Sequence, residues 1–235
     1  MQEDMRNVAY TKEYLDELSD IHHHLFKPEC GKSDERIELG SGIAVLTKVY
    51  FYDSDNPKYP YNLNGSDNTV YRNGEKIYSF KTVNNSGHYW LITHSNGCEY
   101  LLFTKDLYGY SVLDLTTMQD YDYFPAGSFP SGETFIWCDV HYNPINNILA
   151  VGGCFWACPS SVVLVDFESP LVESLHIDIN EFINKGYTRY DDIDFAAWDG
   201  TDLILKMNGQ TEPVQREPRV IPSEEYMAWF DKAAL

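Results

Sequence analysis

Hydrophobic and polar positions alternate in short runs over most of the chain. Between residues 37 and 220, apolar, aromatic and β-branched side chains form runs bounded by Asn73-Gly74, Asn143-Pro144, Asp199-Gly200 and similar pairs. Short runs of this composition, separated by turn residues, are typical of antiparallel β-strands. The pattern therefore predicts an all-β region over residues 37–221.

The strands repeat along the chain. Corresponding turns lie at Gly97, Asn147 and Gly200, which are 50 and 53 residues apart. A period near 50 residues, with about four strands in each repeat, is typical of propeller blades. The sequence thus predicts a propeller-like array of about four antiparallel modules. An open β-sandwich is the alternative, because short strands do not identify their own partners.

Helical periodicity occurs at the two ends of the chain. Tyr14, Leu15, Leu18, Ile21 and Leu25 recur at helical spacing, with acidic residues between them. This spacing predicts an amphipathic helix that ends before Pro28. Near the other end, Ser223 precedes two glutamates, which predicts a helix start. We expect a single domain, 1–235, with an N-terminal helix in 1–30, a β-repeat region at 37–221 and a C-terminal helix at 222–235.

Two strands carry an aspartate near their end, as the sequences Val112-Leu113-Asp114-Leu115 and Leu164-Val165-Asp166-Phe167. They occupy the place of the Trp-Asp strand of WD40-like repeats, so the β-repeat region resembles WD40-like or kelch-like repeats. It departs from true WD40 repeats because neither aspartate follows a tryptophan. The whole chain is also similar to uncharacterised bacterial β-rich proteins with the signature YNP…GC-W-CP. That resemblance implies no activity.

The net charge of the chain limits the kinds of partner that it could bind. The chain has 36 acidic and 17 basic side chains, a formal net charge of −19. Nucleic-acid binding depends largely on Lys and Arg that neutralise phosphates, so we predict no nucleic-acid partner. An acidic surface can steer a basic protein towards it, as an acidic blocker or immunity-type protein would. The other interpretation is that the charge only maintains solubility.

Cysteine usage and hydropathy predict a cytoplasmic protein. The five cysteines are an odd number and are sparse for this length, unlike the framework of a small secreted domain. The N-terminal residues lack the basic and apolar regions of a signal peptide. The most apolar stretch, residues 148–157, is too short to span a bilayer. We therefore expect no membrane association.

One group of residues has the chemistry of a metal or thiol site. Cys138, His141, Cys154 and Cys158 are spaced C-x2-H-x12-C-x3-C. Four such ligands suit tetrahedral zinc, and a thiol beside His141 suits a nucleophile. On a regular strand, however, Cys138 and His141 point to opposite faces, so a metal would need a bulge there. Buried core cysteines are the other interpretation. We predict no catalytic residue, metal or cofactor, and a metal- or thiol-dependent enzyme remains the alternative.

Aromatic loop residues predict a binding face. Tryptophan and tyrosine dominate interface hot spots, and functional residues concentrate on loops of a rigid scaffold. Trp156 can be an interface anchor or a core residue, whereas Trp90, Trp137 and Trp198 are expected in the core. The predicted function is a non-enzymatic protein-interaction scaffold or binding module. Its predicted binding residues are Tyr108, Tyr110, Phe155 and Trp156, with Asp139 and His141 as polar neighbours.

Overall fold

The computed structural model describes residues 4–53, 58–59, 62–84, 87–185, 188–209 and 216–233, without the side chains of residues 216 and 217. The chain divides into two compact units. Unit 1 comprises Met1–Thr93 and Glu99–Gly132, and unit 2 comprises His94–Cys98 and Glu133–Leu235. The single domain predicted for residues 1–235 stays a prediction beside this division.

The described residues are mostly in β-strands, which form four antiparallel sheets. In unit 1, sheet 1 contains β1 (Gly31–Gly40), β2 (Ile43–Tyr52), β3 (Leu63–Arg72) and β4 (Glu75–Val83), and sheet 2 contains β5 (Tyr89–Thr93), β6 (Glu99–Phe103), β7 (Tyr110–Asp114) and β8 (Asp120–Tyr123). In unit 2, sheet 3 contains β9 (Ile136–Asn143), β10 (Ile148–Cys154), β11 (Ser160–Asp166) and β12 (His176–Asp178), and sheet 4 contains β13 (Tyr190–Asp199), β14 (Asp202–Gly209) and β15 (Arg216–Ile221). Within each sheet, strands that follow one another along the chain are neighbours. The all-β class is confirmed, and the propeller-like arrangement stays a prediction.

The β-region begins earlier than predicted, at Gly31 rather than at residue 37. The first strand lies at the edge of sheet 1, and most of its residues are exposed. An edge strand can therefore be polar along its length, which hides it from a search for apolar runs. The turn between β3 and β4 follows the prediction, because Asn73 and Gly74 have φ values of 51° and 87°. Positive φ at both central residues suits a two-residue hairpin.

Each unit has its own core. In unit 1, side chains from sheets 1 and 2 meet, and the rings of Phe80 and Phe103 lie 3.9 Å apart. In unit 2, sheets 3 and 4 pack with the C-terminal helix, and Leu164, Leu205 and Trp229 belong to one buried cluster. Burial of apolar area in these two clusters is the main stabilising contribution.

The predicted terminal helices are present. Helix α1 (Lys12–Leu25) is capped by Thr11, whose side-chain oxygen accepts a hydrogen bond from the backbone N–H of Tyr14. Its residues Ile21 and Leu25 pack in a cluster with Tyr50 of sheet 1. A short helix α2 (Asn180–Ile183) lies between sheets 3 and 4 in the sequence, and α3 (Ser223–Ala233) buries Trp229 and Phe230. Short 3-10 turns occur at Pro28–Cys30 and Ala126–Ser128. In the described part of the chain, no helix has the length and apolar character needed to cross a bilayer.

Candidate functional sites

Unit 2 contains a hollow of about 410 Å³ between β9, β10 and the middle of β13. All four residues of the predicted metal or thiol group line it. We name this site the hollow, and its lining residues are Cys138, Asp139, His141, Gly152, Gly153, Cys154, Cys158, Ser160, Asp194 and Phe195.

A β-bulge assembles this group. The register pairs Gly152 with Asp139 and Gly153 with Trp137, which leaves Cys138 as the extra residue. A bulge re-aims the side chain of its extra residue, so Cys138 and His141 line one side although they are three residues apart. Gly153 permits the close approach, because a Cβ there would lie 1.9 Å from the carbonyl oxygen of Ile136.

The assembled group lacks the features of a metal or nucleophilic site. Among the residues that the structure describes, no group of three or more His, Cys, Asp or Glu side chains is arranged to hold a metal ion. Partial burial of the thiol, together with the nearby Cys154 and Asp139, raises the pKa of Cys138. The thiolate is the reactive and metal-binding form, so these surroundings oppose its formation.

The side chain of His141 is held in place on both sides. Its ring stacks on Phe195, with 3.9 Å between the ring centroids and 13° between the planes. Its Nε2 atom lies 3.0 Å from Oδ2 of Asp139. Asp194 also lines the hollow, and no lysine or arginine occurs among its described lining residues. Its carboxylates therefore give the hollow an acidic character.

The loop between Cys154 and Cys158 carries an exposed tryptophan. Phe155 is half-buried and packs edge-on against Phe135, with 5.3 Å between ring centroids. The backbone N–H of Cys158 donates to the carbonyl oxygen of Phe155 at 2.9 Å, which closes a turn. Trp156 is 57% exposed, in contrast to Trp137, which is 3% exposed. Trp156 therefore lies outside the core of unit 2, on a loop that Phe155 anchors.

The other two predicted binding residues belong to unit 1. Tyr110 is 2% exposed, and its ring lies 5.2 Å from that of Tyr123. Tyr108 is half-buried and packs against the cluster that contains Tyr14 and Phe124. Phe155, Trp156, Asp139 and His141 belong to unit 2. The grouping of all six into one binding face stays a prediction.

A second site, the cleft of unit 1, was not predicted. It has a volume of about 710 Å³ and lies along α1, sheet 1 and strands β7 and β8. The lining residues that define it here are Tyr14, Leu15, Leu18, His22, Asp34, Lys48, Asp67, Lys76, Lys81, Lys105, Asp106 and Asp122.

The floor of the cleft carries a row of alternating charges. Asp34 is opposite Lys48, Lys48 is opposite Asp67, and Asp67 is opposite Lys81 in the register of β1 to β4. Opposite charges in directly paired positions stabilise a sheet. No ion pair within 4.0 Å joins these four residues in the described part of the chain. Both signs of charge therefore face the cleft.

Helix α1 forms one wall of the cleft. Leu15 is 48% exposed although it belongs to the apolar stripe of the helix, and it lines the cleft with Leu18. His22 lies one turn further along, and its Nε2 atom is buried without a hydrogen-bond partner. Burial, with a smaller effect of nearby Lys81, lowers the pKa of His22 to about 4. The imidazole is therefore neutral at pH 7.

A buried carboxyl group lies at the other side of the cleft. Oδ1 of Asp106 accepts hydrogen bonds from the backbone N–H of Leu107 at 2.6 Å and from Nδ2 of Asn84 at 3.4 Å. Burial raises the pKa of Asp106 to about 6. Next to it, Lys105 forms an ion pair with Asp122 at 2.7 Å. Desolvation disfavours the charged form of a carboxyl group and so raises its pKa. Titratable groups with shifted pKa values are frequent in functional sites.

Comparison with known proteins leaves both sites without an assignment. No protein-family model, no curated protein and no solved structure matches the chain. The functional argument therefore depends on the residues of the hollow and the cleft.

Proposed function

We propose that the protein is a non-enzymatic binding module that holds a basic segment of another protein at the hollow and the adjoining Trp156 loop. The observation that carries this proposal is the exposure of Trp156, on a turn whose two flanking cysteines line the hollow. Large aromatic side chains on a pre-formed loop supply contact area at a small entropic cost. Trp156 is therefore suited to anchor a partner.

The charge of the hollow supports a basic partner. Asp139 and Asp194 are exposed and line it, and no described lysine or arginine there competes for them. A guanidinium or ammonium group of the partner would bind these carboxylates. The face of the Trp156 ring would then attract the same cation or a second one. This chemistry fits an acidic blocker or immunity-type protein that covers a cationic surface.

We propose further that the four sheets form a propeller-like array and that the protein acts in the cytoplasm. Four successive meanders and the turn spacing near 50 residues support the array. Five free thiols fit a reducing compartment. A crystal structure in which the four sheets form a two-layer sandwich would overturn the array.

The binding proposal can be tested with a fluorescent arginine-rich peptide. Fluorescence polarisation should show binding at low salt and weaker binding at moderate salt, because exposed charges are screened. A matched glutamate-rich peptide should not bind. Absence of arginine-peptide binding at low salt, or equal binding of both peptides, counts against the proposal.

Single-residue variants test whether Trp156 itself contributes to peptide binding or whether the acidic surface alone accounts for it. Trp156→Ala is expected to weaken arginine-peptide binding by about 2 kcal/mol, roughly thirtyfold, which is the size of an interface hot spot. Asp139→Asn should weaken it as well. Met227→Ala, an exposed apolar residue of α3, is the matched control and should leave the affinity unchanged. If Met227→Ala weakens binding as much as Trp156→Ala, the hollow is not the binding site.

A second candidate function is the binding of a small zwitterionic molecule with an apolar body in the cleft. Asp106 favours it, because Leu107 and Asn84 both donate to its Oδ1 atom, which leaves Oδ2 as the oxygen that a ligand would meet. This oxygen suits an amino group, the lysines of the cleft floor suit an acidic group, and Leu15 and Leu18 suit an apolar body. A concave site with few placed polar groups is typical of ligand pockets.

Thermal-shift measurements with matched probes test this second function. Free phenylalanine should raise the melting temperature more than N-acetylphenylalanine or phenylalaninamide, each of which lacks one charge. The increase should disappear in Asp106→Asn and persist in Asp194→Asn. Equal shifts with all three probes would exclude recognition of a zwitterion.

A further inference from the structure

Four asparagines of the chain are each followed by a glycine. An asparagine cyclises when the backbone nitrogen of the next residue attacks its side-chain carbonyl carbon, and glycine obstructs this attack least because it has no Cβ. The attack needs a nitrogen that is not held by a hydrogen bond and a peptide that can rotate, so the fold decides which pair reacts. The four pairs are Asn64-Gly65, Asn73-Gly74, Asn96-Gly97 and Asn208-Gly209.

Two of these pairs lie inside sheets. Gly65 is buried in β3 and is paired with residues of both neighbouring strands. Asn208 belongs to β14 and is also paired on both sides. Rotation of either peptide would break hydrogen bonds of the sheet, so both pairs are held in an unreactive conformation.

The other two pairs lie at hairpin turns and differ in their hydrogen bonds. At the turn between β5 and β6, the N–H of Gly97 donates to the carbonyl oxygen of His94 at 2.9 Å. Oδ1 of Asn96 accepts a hydrogen bond from the N–H of Cys98, also at 2.9 Å. Both the attacking nitrogen and the side chain that it would attack are therefore held in place.

The Asn73-Gly74 turn has neither restraint. Both residues are exposed, and a Cβ at Gly74 would meet no atom within 4 Å. The described residues offer no acceptor to the N–H of Gly74 and no hydrogen bond to the side-chain amide of Asn73. The backbone N–H of Asn73 donates to the carbonyl oxygen of Gly42 at 2.8 Å, which holds the preceding peptide only. The peptide between Asn73 and Gly74 is therefore free to rotate.

We infer that Asn73 is a site of spontaneous deamidation, at which the chain converts this asparagine into aspartate and isoaspartate. The conversion replaces a neutral amide with a carboxylate at the tip of the β3–β4 hairpin. The inference is independent of the binding proposed for the hollow and for the cleft, because the reaction needs only water.

The reaction has two steps. The backbone nitrogen of Gly74 loses its proton to solvent and attacks Cγ of Asn73, and the new C–N bond closes a succinimide ring. The bond between Cγ and Nδ2 breaks, and Nδ2 takes up a proton and leaves as ammonia. Water then opens the ring, at Cγ to give aspartate or at the backbone carbonyl carbon to give isoaspartate. The net change converts one amide and one water into one carboxylic acid and one ammonia, with no oxidation or reduction.

The experiment incubates the folded full-length chain in mildly alkaline buffer, digests it and measures aspartate and isoaspartate at each pair by mass spectrometry. Two hydrogen bonds must open before Asn96 reacts, so its deamidation should be roughly thirtyfold slower than that of Asn73. A second sample, unfolded in guanidinium chloride, should react at similar rates at all the pairs. Equal rates at Asn73 and Asn96 in the folded chain would overturn the inference. The same difference in the unfolded chain would overturn it too, because the local sequence and not the fold would then select Asn73.

Two matched variants separate the two turns by charge. Asn73→Asp carries the charge of the product from the start, and aspartate before glycine suits this turn as asparagine does. Ion-exchange chromatography of this variant should therefore show no new acidic species during incubation. Asn96→Asp is the control and should still form an acidic species at the rate of the natural chain. Melting curves show that each variant is folded, and an acidic species that forms at the natural rate in folded Asn73→Asp would contradict the assignment.

Discussion

The cleft of unit 1 and the hollow of unit 2 hold their charges in different ways. The cleft contains a carboxyl group, Asp106, that is buried and accepts two hydrogen bonds. The carboxylates of the hollow, Asp139 and Asp194, are exposed. A buried charge costs folding free energy, whereas an exposed charge costs little. A charge change at Asp106 should therefore alter stability, and charge changes at Asp139 and Asp194 should alter binding alone.

The largest expected effect is the difference in unfolding free energy between a variant of buried Trp137 and a variant of exposed Trp156. Trp137→Ala removes a buried side chain next to the bulge and should cost about 3–5 kcal/mol of unfolding free energy. Trp156→Ala on the exposed loop should change the unfolding free energy by less than about 0.5 kcal/mol. Urea unfolding of the two variants measures both values. Equal losses would show that the loop belongs to the core.

The charge contrast itself is tested by Asp106→Asn and Asp194→Asn. The pKa of Asp106 is about 6 in the folded protein, above its ordinary value of 3.8. The folded state binds the Asp106 proton more tightly than the unfolded state does. The stability that this carboxyl group contributes is therefore fully present below about pH 4 and is lost as the pH rises through 6, where the buried group must ionise. Asp106→Asn should therefore stabilise the protein by about 3 kcal/mol at pH 8 and by almost nothing at pH 4. Unfolding curves at the two pH values measure this difference.

Asp194→Asn is the counterpart in the hollow. Its side chain is exposed, so the unfolding free energy should stay the same at both pH values. If Asp106→Asn also leaves stability independent of pH, the cleft does not bury a charge and the comparison of the two sites is wrong.

The geometry of the bulge is tested by two adjacent glycines. A Cβ at residue 153 would lie 1.9 Å from the carbonyl oxygen of Ile136, so Gly153→Ala should cost about 1–3 kcal/mol through overpacking. At Gly152 the nearest atom is Cβ of Asp139 at 3.8 Å, an ordinary contact. Gly152→Ala should therefore be close to neutral. Thermal unfolding compares the pair, and similar losses in both would place the close approach elsewhere.

The smallest effect concerns the wall of the cleft. Thr11 caps α1, and Thr11→Ala should cost about 1 kcal/mol because the N–H of Tyr14 loses its acceptor. Thr11→Ser keeps the hydroxyl group and should retain most of the stability. Chemical denaturation of both variants tests whether the cap, rather than packing alone, fixes this wall.

Local sequence patterns predicted much of the fold. The Asn73-Gly74 turn and the helical spacing from Tyr14 to Leu25 each depend on neighbouring residues, and each is present in the structure. Cys138, His141 and Cys154 lie in the hairpin of β9 and β10, and Cys158 lies on the loop that follows it, so their spacing was informative. Alternation along a strand nevertheless placed Cys138 and His141 on opposite faces. The bulge at Cys138 brings both side chains to the same side. The adjacent glycines 152 and 153 on the facing strand were the sequence feature that could have indicated a bulge.

The cleft could not be found in the same way. Asp34, Lys48, Asp67 and Lys81 lie far apart in the sequence and become neighbours only through the register of four strands. A single sequence does not fix that register, because one hairpin with a longer loop shifts every pair. The burial that raises the pKa of Asp106 also results from packing and not from its neighbours in the sequence.

The polar first strand has a consequence for the behaviour of the protein at high concentration. β1 lies at the edge of sheet 1, where an incoming strand from another molecule could extend the sheet. Its exposed residues include Lys32, Asp34, Glu35, Arg36 and Glu38. A second copy docking there would have to strip water from these charged side chains, and charged edges of this kind oppose such pairing. The polar residues that kept β1 from being recognised as a strand in the sequence thus protect the chain against aggregation through intermolecular sheet growth.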